Sequence, residues 1–188
     1  MFKIISVSNR KLCNKDFLER ISEISNAGIP VILREKDLNE AEYEELAKKV
    51  IALCPNIILH SFTNAAKNIG CKRIHLPMHV LRDTDVSGFE ITGTSVHSPE
   101  EAKEAQTLGA SYITAGHIFE TDCKKGLAPR GLDFLENVCQ SVNIPVYAIG
   151  GINSENAREA ISRGASGVCV MSGLMTCENV SKYLSKYY

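Results

Sequence analysis

A short segment that follows an apolar run concentrates much of the titratable and flexible chemistry of this sequence. Residues 115–132 read AGHIFETDCKKGLAPRGL and contain one histidine, two acids, one threonine, one cysteine, three cationic residues and three glycines. Histidine titrates near neutral pH, so His117 can both accept and donate a proton there. Glycines let a loop move or approach a ligand closely. The segment is therefore predicted to be a functional loop rather than a simple connection.

Short runs rich in β-branched residues alternate with helix patterns along the chain, and they predict the scaffold that holds this loop. Eight runs lie at 3–8, 30–36, 56–61, 73–77, 90–96, 112–116, 145–151 and 167–173. Between them, Asp16, Ser98 and Ser154 are the predicted starts of helices, because their side chains can cap a first turn. Residues 78–89 are polar and are predicted to lack a full helix.

Repeated βα units with continuous apolar strands predict a parallel sheet that is buried on both faces. Eight such units predict an α/β fold, a (βα)8 TIM barrel that forms a single domain over residues 1–188. A doubly wound open sheet is the alternative, because the chain is shorter than the about 200 to 250 residues usual for a barrel. The chemistry of a parallel barrel lies at the carboxyl ends of its strands, so residues 115–132 are predicted to cross the barrel mouth.

The ends of the last two predicted strands carry small residues that suit an anion. The stretches AIGGI and VMSGLM contain Gly150, Gly151, Met171, Ser172 and Gly173. Unpaired backbone N–H groups at a turn into a helix can hold an anion without a cationic side chain. Barrels often bind phosphate after strands 7 and 8, so these residues are predicted to bind a phosphate group. The alternative is that the glycines only permit tight turns.

Composition excludes several classes of protein. The formal net charge of -1 gives no electrostatic case for nucleic acid or for an anionic membrane. No apolar run approaches the about 20 residues that a membrane helix needs, and the N-terminus lacks the pattern of a secretory signal. Seven cysteines occur without a CxxC pair, which predicts reduced, mainly buried thiols, no zinc site and a cytoplasmic location.

The chain resembles the thiamine-phosphate-synthase superfamily of small barrels over nearly its whole length. The resemblance is carried by VILREKDL, IHLP, GTSVHSPEEA, GASYITAGHIFETDCKKG, IPVYAIGGI and GASGVCVMSGL, whose order and spacing are more specific than any one stretch. The matching positions implied to bind substrate are Arg34, Lys36, Ser95, Thr121, Lys124, Gly150, Gly151 and Ser172.

The sequence departs from the synthase branch of this superfamily at its metal site. Synthases use magnesium to couple a pyrimidine diphosphate to a thiazole phosphate. Ile32 replaces the first residue of their Gln-x-Arg-x-Lys pattern, and Ser61 and Val80 replace the two metal-binding carboxylates. Serine and valine cannot supply the charge that magnesium requires. The motif GHIFETDCKKGL at residues 116–127 instead resembles the thiazole tautomerase (TenI-like) branch.

This second resemblance implies an isomerase that acts on a small-molecule thiazole phosphate in thiamine biosynthesis, without metal or other cofactor. The reaction is a 1,3-proton shift, in which the carboxylated ylidene thiazole loses a proton at C2 and gains one at its exocyclic carbon. His117 is implied to carry this proton, and Arg34 suits the substrate carboxylate because guanidinium matches a planar anion. Lys36 is expected to assist Arg34 or to face the phosphate, and Thr121 and Lys124 are expected to line the lid and to help hold the phosphate or the ring.

Purely structural roles are the alternative interpretation for several of these residues. His117 can be a structural histidine, and the REKD cluster at 34–37 can be an exposed group of charges. His75 is predicted to be structural, and the roles of Glu35 and Cys123 are open. The alternative functions are a thiamine-phosphate synthase and a non-catalytic regulatory barrel that binds the ligand. The sequence leaves homo-oligomerisation undecided.

Overall fold

The computed structural model describes residues 3–188, and a closed barrel of parallel strands forms its centre. The strands are β1 (Lys3–Val7), β2 (Val31–Leu33), β3 (Ile57–His60), β4 (Arg73–Pro77), β5 (Ile91–Val96), β6 (Tyr112–Gly116), β7 (Val146–Ile149) and β8 (Gly167–Val170). Each strand pairs with the next along the chain, and β8 pairs with β1, which closes the sheet. The predicted (βα)8 barrel is confirmed, and the open doubly wound sheet is wrong.

Helices surround this barrel and follow the strands along the chain. They are α1 (Phe17–Asn26), α2 (Glu40–Ile51), α3 (Thr63–Asn68), α4 (Met78–Arg82), α5 (Pro99–Thr107), α6 (Gly131–Ser141), α7 (Ala157–Ser162), α8 (Ser172–Thr176) and α9 (Val180–Leu184). Short 3-10 helices lie at Arg10–Leu12, Asp122–Lys124 and Ser185–Tyr187. No helix in the described range 3–188 is long and apolar enough to cross a membrane.

Most of the predicted helix starts are confirmed by their caps. Asp16 and Ser98 accept hydrogen bonds from backbone N–H groups in the first turns of α1 and α5. The predicted start at Ser154 is wrong, because α7 begins at Ala157. The cause is a local turn in which the Asn153 side chain accepts from the N–H groups of the two residues before α7 and holds them outside the helix.

The barrel interior contains two aromatic rings packed among smaller apolar side chains. Tyr112 and Tyr147 lie edge to face with their ring centres 5.7 Å apart, and apolar side chains from the other strands pack around them. A side chain at Gly93 would collide with the Tyr112 ring, and one at Gly167 would collide with the Tyr147 ring. The two glycines therefore make room for the two tyrosines, and these rings form the floor under the barrel mouth.

The cysteines are all free thiols, but fewer are buried than the sequence predicts. Cys54 and Cys169 are fully inside the protein, Cys123 is exposed, and the other four are half-buried. The prediction of mainly buried thiols is therefore wrong, because four cysteines lie on loops or helix faces at the edge of the core. Burial raises the pKa of the Cys54 and Cys139 thiols, which disfavours their reactive thiolate forms.

Candidate functional site

Two cationic side chains rise from the end of β2 without a negative partner. Arg34 and Lys36 form no ion pair with a carboxylate in the part of the chain that the structure describes. Burial is the main cause that lowers the pKa of the Lys36 ammonium group, followed by the charges of Arg34 and then Lys124. Lys36 nevertheless keeps contact with solvent. This arrangement, in which like charges lie close together, favours binding of an anion that neutralises them.

Glu35, whose role the sequence left open, points away from these two cations. The residue is only 3% exposed, and its carboxylate accepts a hydrogen bond of 2.6 Å from the Ser8 hydroxyl. It also accepts from the backbone N–H of Arg10 at 3.0 Å and from the Arg10 guanidinium at 3.1 Å. Because the Ser8 hydroxyl also accepts from the Arg34 N–H at 2.9 Å, Glu35 connects the loop after β1 to the end of β2. Glu35 therefore holds the loop that presents Arg34 and does not face a ligand.

His117 opens the connection from β6 to α6, residues 117–130, which we call the lid loop. The histidine is half-buried, and its Nε2 lies 3.3 Å from the carbonyl oxygen of Leu127 in the same loop. A carbonyl only accepts, so this contact requires a proton on Nε2 and leaves Nδ1 unprotonated in the neutral ring. The lid loop thus presents the imidazole with one free basic nitrogen, as a proton-transfer role requires.

The lid loop packs directly on the glycine turn that follows β7. Gly150 has φ of 96° and Gly151 has φ of 68°, a left-handed conformation that favours glycine. A side chain at Gly150 would meet the Cα and Cβ atoms of His117, and one at Gly151 would meet the backbone of Phe119 and Glu120. The glycine pair therefore brings His117 against the predicted phosphate end of the mouth.

Backbone donors at this end are available for an anion. The N–H groups of Gly150, Gly151 and Ile152 donate no hydrogen bond to the described part of the chain, and these residues lie between β7 and α7. Ser172 and Gly173 form the first turn of α8, immediately after Met171. Gly173 has a separate structural reason to lack a side chain, because the Tyr183 ring occupies that space. The prediction that these residues bind phosphate remains a prediction.

Thr121 and Lys124 lie on the lid loop at opposite ends of its 3-10 helix. The Thr121 side chain caps this helix by accepting from the Cys123 N–H at 3.4 Å. Lys124 is exposed, yet it lies close enough to Lys36 to lower the pKa of that group. The lid loop therefore reaches toward the end of β2, and Lys124 adds a third positive charge to the mouth.

Below these cations lies a hydrogen-bonded histidine network that the sequence did not predict. The strand register places His60 beside His75, and Ser95 beside Thr114. The two imidazoles stack with their ring centres 5.7 Å apart. Burial is the main cause that lowers the pKa of His60 to about 2 and that of His75 to about 3, so both rings are neutral at physiological pH. The structural role predicted for His75 agrees with its burial.

A comparison with known proteins identifies the family. A family model described as thiamine monophosphate synthase matches residues 4–174. The chain belongs to this family. The thiamine-phosphate synthase of Clostridium acetobutylicum is 32% identical to it over 189 residues, which cover 95% of this chain and 90% of that protein. The thiamine monophosphate synthase family comprises enzymes of thiamine biosynthesis, so the chain is assigned to this class of enzymes.

Further relatives agree in sequence and in structure. The putative thiamine-phosphate synthase 2 of Aquifex aeolicus is 34% identical over 178 residues, which cover 90% of this chain and 96% of that protein. The solved structure of thiamine phosphate pyrophosphorylase from Pyrococcus furiosus has a TM-score of 0.83 and 30% identity, over 99% of this chain and 93% of that one. The thiamine monophosphate synthase barrel is therefore retained along nearly the whole chain.

Magnesium, which the synthase branch of the family is implied to use, does not fit the residues present in this mouth. Magnesium takes oxygen ligands and favours carboxylates. Ser61 and Val80 occupy the two positions that resemble the carboxylate positions of synthases, and the Ser61 hydroxyl lies 2.7 Å from Nδ1 of His60. The Glu35 carboxylate is already bonded to Ser8 and Arg10. Within residues 3–188, no group of three or more histidine, cysteine, aspartate or glutamate residues could hold a metal ion.

Proposed function

We propose that the chain is a thiazole tautomerase of thiamine biosynthesis, which converts a carboxylated ylidene thiazole phosphate into its aromatic isomer. His117 carries the proton between C2 and the exocyclic carbon of the substrate. Arg34 and Lys36 bind the substrate carboxylate, and Lys124 adds positive charge from the lid loop. Gly150, Gly151, Ser172 and their neighbours hold the phosphate through backbone N–H groups.

One observation carries this proposal: His117 lies against Gly150 in a mouth that also contains the Arg34 and Lys36 cations and the neutral His60 and His75 imidazoles. A proton shift within one small anion requires an anion site and one group that titrates near neutral pH. The Arg34 and Lys36 side chains supply positive charge, and the His117 ring supplies a nitrogen that can accept a proton and return it. Coupling to a diphosphate leaving group would in addition require a bound cation, and the nearby donor atoms do not suit one.

The proton transfer follows from the position of His117 alone. In its neutral form, Nδ1 takes the C2 proton, and the positive imidazolium that results is close to the anionic substrate that favours it. The same proton then moves to the exocyclic carbon, which restores the neutral ring and makes the thiazole aromatic. No atom is gained or lost, so the reaction needs no co-reactant.

The test is an assay of aromatic thiazole formation from freshly made ylidene thiazole phosphate, in buffer with a magnesium chelator. The wild-type protein is expected to accelerate the reaction above its spontaneous rate, and His117→Asn is expected to lose about 100-fold or more of that acceleration, the range typical for a lost general base. Cys123→Ser, an exposed change in the same lid loop, serves as the control and is expected to retain the rate. An unaccelerated reaction with wild-type protein would refute the proposal.

A second function, thiamine-phosphate synthase, is favoured by the names of the relatives in Clostridium acetobutylicum and Aquifex aeolicus. It predicts that the chain joins a pyrimidine diphosphate to a thiazole phosphate when magnesium is added. Product in that assay, together with no tautomerase activity, would replace the first proposal by the second. Binding of the thiazole phosphates without turnover in either assay would instead indicate a regulatory barrel.

A further inference from the structure

A chain of buried polar side chains runs under the mouth and ends at Ser95. The Tyr112 hydroxyl lies 3.0 Å from Nδ1 of His75, and Nε2 of His75 lies 2.9 Å from the Ser95 hydroxyl oxygen. The Ser95 oxygen also lies 2.9 Å from the Thr114 hydroxyl. Tyr112, His75 and Thr114 are 6%, 3% and 1% exposed, whereas Ser95 is half-buried. Of the four side chains, Ser95 therefore has the greatest access to the mouth.

The hydrogen-bond inventory fixes the tautomer of His75. The Tyr112 hydroxyl has a proton to donate, and within residues 3–188 its hydrogen-bond contact is Nδ1 of His75. A buried donor without an acceptor is costly, so Tyr112 donates to Nδ1. Burial keeps the His75 ring neutral by lowering its pKa, and the single ring proton is then on Nε2. Nε2 consequently donates to the Ser95 oxygen.

The same reasoning fixes the direction of the last hydrogen bond. The Thr114 hydroxyl has Ser95 as its side-chain partner among the described residues, and it is almost completely buried. If Thr114 accepted from Ser95, its own proton would be buried without an acceptor, so Thr114 donates instead. Both lone pairs of the Ser95 oxygen are then occupied, by His75 and by Thr114. The Ser95 proton has no acceptor in this network and is free to point into the mouth.

The family resemblance already implies that Ser95 contacts the substrate. We propose that His75 is the positioning residue that fixes the Ser95 hydroxyl as a donor, so that it can donate to an anionic oxygen of the ligand but cannot accept from it. The Arg34 guanidinium is close enough to His75 to contribute to lowering its pKa, so the Ser95 proton and the Arg34 charge act on the same region of the mouth. A hydroxyl that can only donate favours an anion and disfavours a ligand that presents a donor at this point. The inference rests on the proposed function for the identity of the ligand, a thiazole phosphate.

The first test reads the tautomer directly and does not depend on ligand or activity. A long-range proton–nitrogen NMR spectrum of the 15N-labelled protein at neutral pH should show Nδ1 of His75 unprotonated and Nε2 protonated. Tyr112→Phe removes the donor to Nδ1 and should shift part of the His75 population to the other tautomer. A wild-type His75 ring with its proton on Nδ1 would overturn the proposal.

The second test measures ligand affinity by calorimetry, so lost turnover cannot affect it. Ser95→Ala is expected to weaken binding of carboxythiazole phosphate by about 10-fold to 100-fold, as for a lost hydrogen bond to a charged group. His75→Phe should weaken it by a similar factor, and the double variant should bind no more weakly than either single one. His75→Gln, which retains an amide donor near Nε2, should recover part of the affinity.

Thr94→Val is the matched control, since its hydroxyl lies on the same strand but donates to the Leu76 carbonyl at 2.7 Å. This change should lower the melting temperature and leave affinity unaltered. Thiazole phosphate, which lacks the carboxylate, identifies the group that accepts from Ser95. If Ser95→Ala binds both ligands more weakly, the acceptor is the phosphate. If it binds only the carboxylated ligand more weakly, the acceptor is the carboxylate. Unchanged affinity of Ser95→Ala for both ligands would overturn the proposal. If instead the variants bind more weakly as expected but the wild-type protein does not convert the ylidene thiazole phosphate, only the tautomerase function is refuted.

Discussion

We expect the charge of Arg34 to act on a ligand and to contribute little to folding, because the guanidinium has no carboxylate partner in the described chain. Arg34→Leu is therefore expected to weaken carboxythiazole phosphate binding by about 10-fold to 100-fold, with the free energy of unfolding retained within about 0.5 kcal/mol. The pKa of Lys36 should also rise, because Arg34 is the second cause that lowers it, after burial. Calorimetry, urea unfolding and NMR of the lysine side chain measure these three quantities.

Arg163→Leu is the control for this charge. Arg163 lies at the end of α7 and forms ion pairs of 2.7 Å with Glu136 and 3.1 Å with Asp133. Its loss should leave ligand affinity unchanged and alter stability by less than about 1 kcal/mol, the range of surface ion pairs. Equal affinities for wild type and Arg34→Leu would show that the cation at the end of β2 does not bind the ligand.

Single residues were predictable from sequence where a motif fixed them and unpredictable where distant strands bring them together. His117 was predicted from its segment, and the structure places it against Gly150. The contact between His75 and Ser95 depends on the register of β4, β5 and β6, which the sequence does not specify residue by residue. Alternation along a strand does place Glu35 on the face opposite Arg34, but its partners Ser8 and Arg10 come from the loop after β1 and cannot be predicted from the sequence around Glu35.

In the turn between β7 and α7, Gly151 both adopts a left-handed backbone conformation and packs against the lid loop, and substitution can separate these two roles. Gly151 has φ of 68° and abuts the lid loop, whereas Gly70 has φ of 70° and open space, with no atom within 4 Å of where a Cβ would stand. Both Gly151→Ala and Gly70→Ala should cost about 1 kcal/mol or more from backbone strain, as urea unfolding would show. Only Gly151→Ala should also displace the backbone of Phe119 and Glu120.

Displacement of the lid loop would move His117 away from the predicted phosphate site, so Gly151→Ala should lose activity well beyond its loss of stability. The measurement is kcat/KM for aromatic thiazole formation, at a temperature where both variants are fully folded. Gly70→Ala should retain the wild-type value, because its turn lies at the other end of the strands, between α3 and β4. Equal activities for the two variants would show that the lid loop does not depend on close packing against Gly151.

At the level of elements, sequence signals were strong where caps and apolar runs agree. The Asp16 and Ser98 caps give correct helix starts because each side chain accepts a first-turn N–H. Ser154 resembles such a cap, but a neighbouring asparagine competes successfully for the same backbone groups. Cap chemistry is local, so its errors arise when two capping side chains stand close together in sequence.

The whole barrel was predictable because eight βα units repeat, although its interior was not. The apolar runs reveal strands, but they do not reveal that Gly93 and Gly167 yield space to two tyrosines. The hydroxyl of one of these tyrosines, Tyr112, lies within hydrogen-bond distance of His75 and so belongs to the buried polar network under the mouth. Burial of that network has a consequence for the stability of the entire fold, because it includes neutral histidines.

The pair His60 and His75 should make folding sensitive to acid. Their folded pKa values, lowered to about 2 and about 3, lie below the about 6.5 of an unfolded histidine. As the pH falls below about 6.5, the unfolded chain binds protons that the folded chain does not, so the free energy of unfolding decreases. Each histidine contributes up to about 1.4 kcal/mol per pH unit to the slope of the free energy of unfolding against pH. The stabilisation is fully present only above about pH 6.5, the pKa of the unfolded histidine.

Urea unfolding between about pH 6 and about pH 4.5 isolates this effect, because most carboxylates titrate below that range. His60→Gln should reduce the slope by about 1.4 kcal/mol per pH unit, since one buried imidazole no longer distinguishes the folded from the unfolded chain. His79→Gln, a change at an exposed histidine on α4, should retain the wild-type slope. If His60→Gln unfolds with an unaltered pH dependence, the imidazole at position 60 is protonated within the folded barrel, and the mouth then carries a fourth positive charge beside Arg34, Lys36 and Lys124.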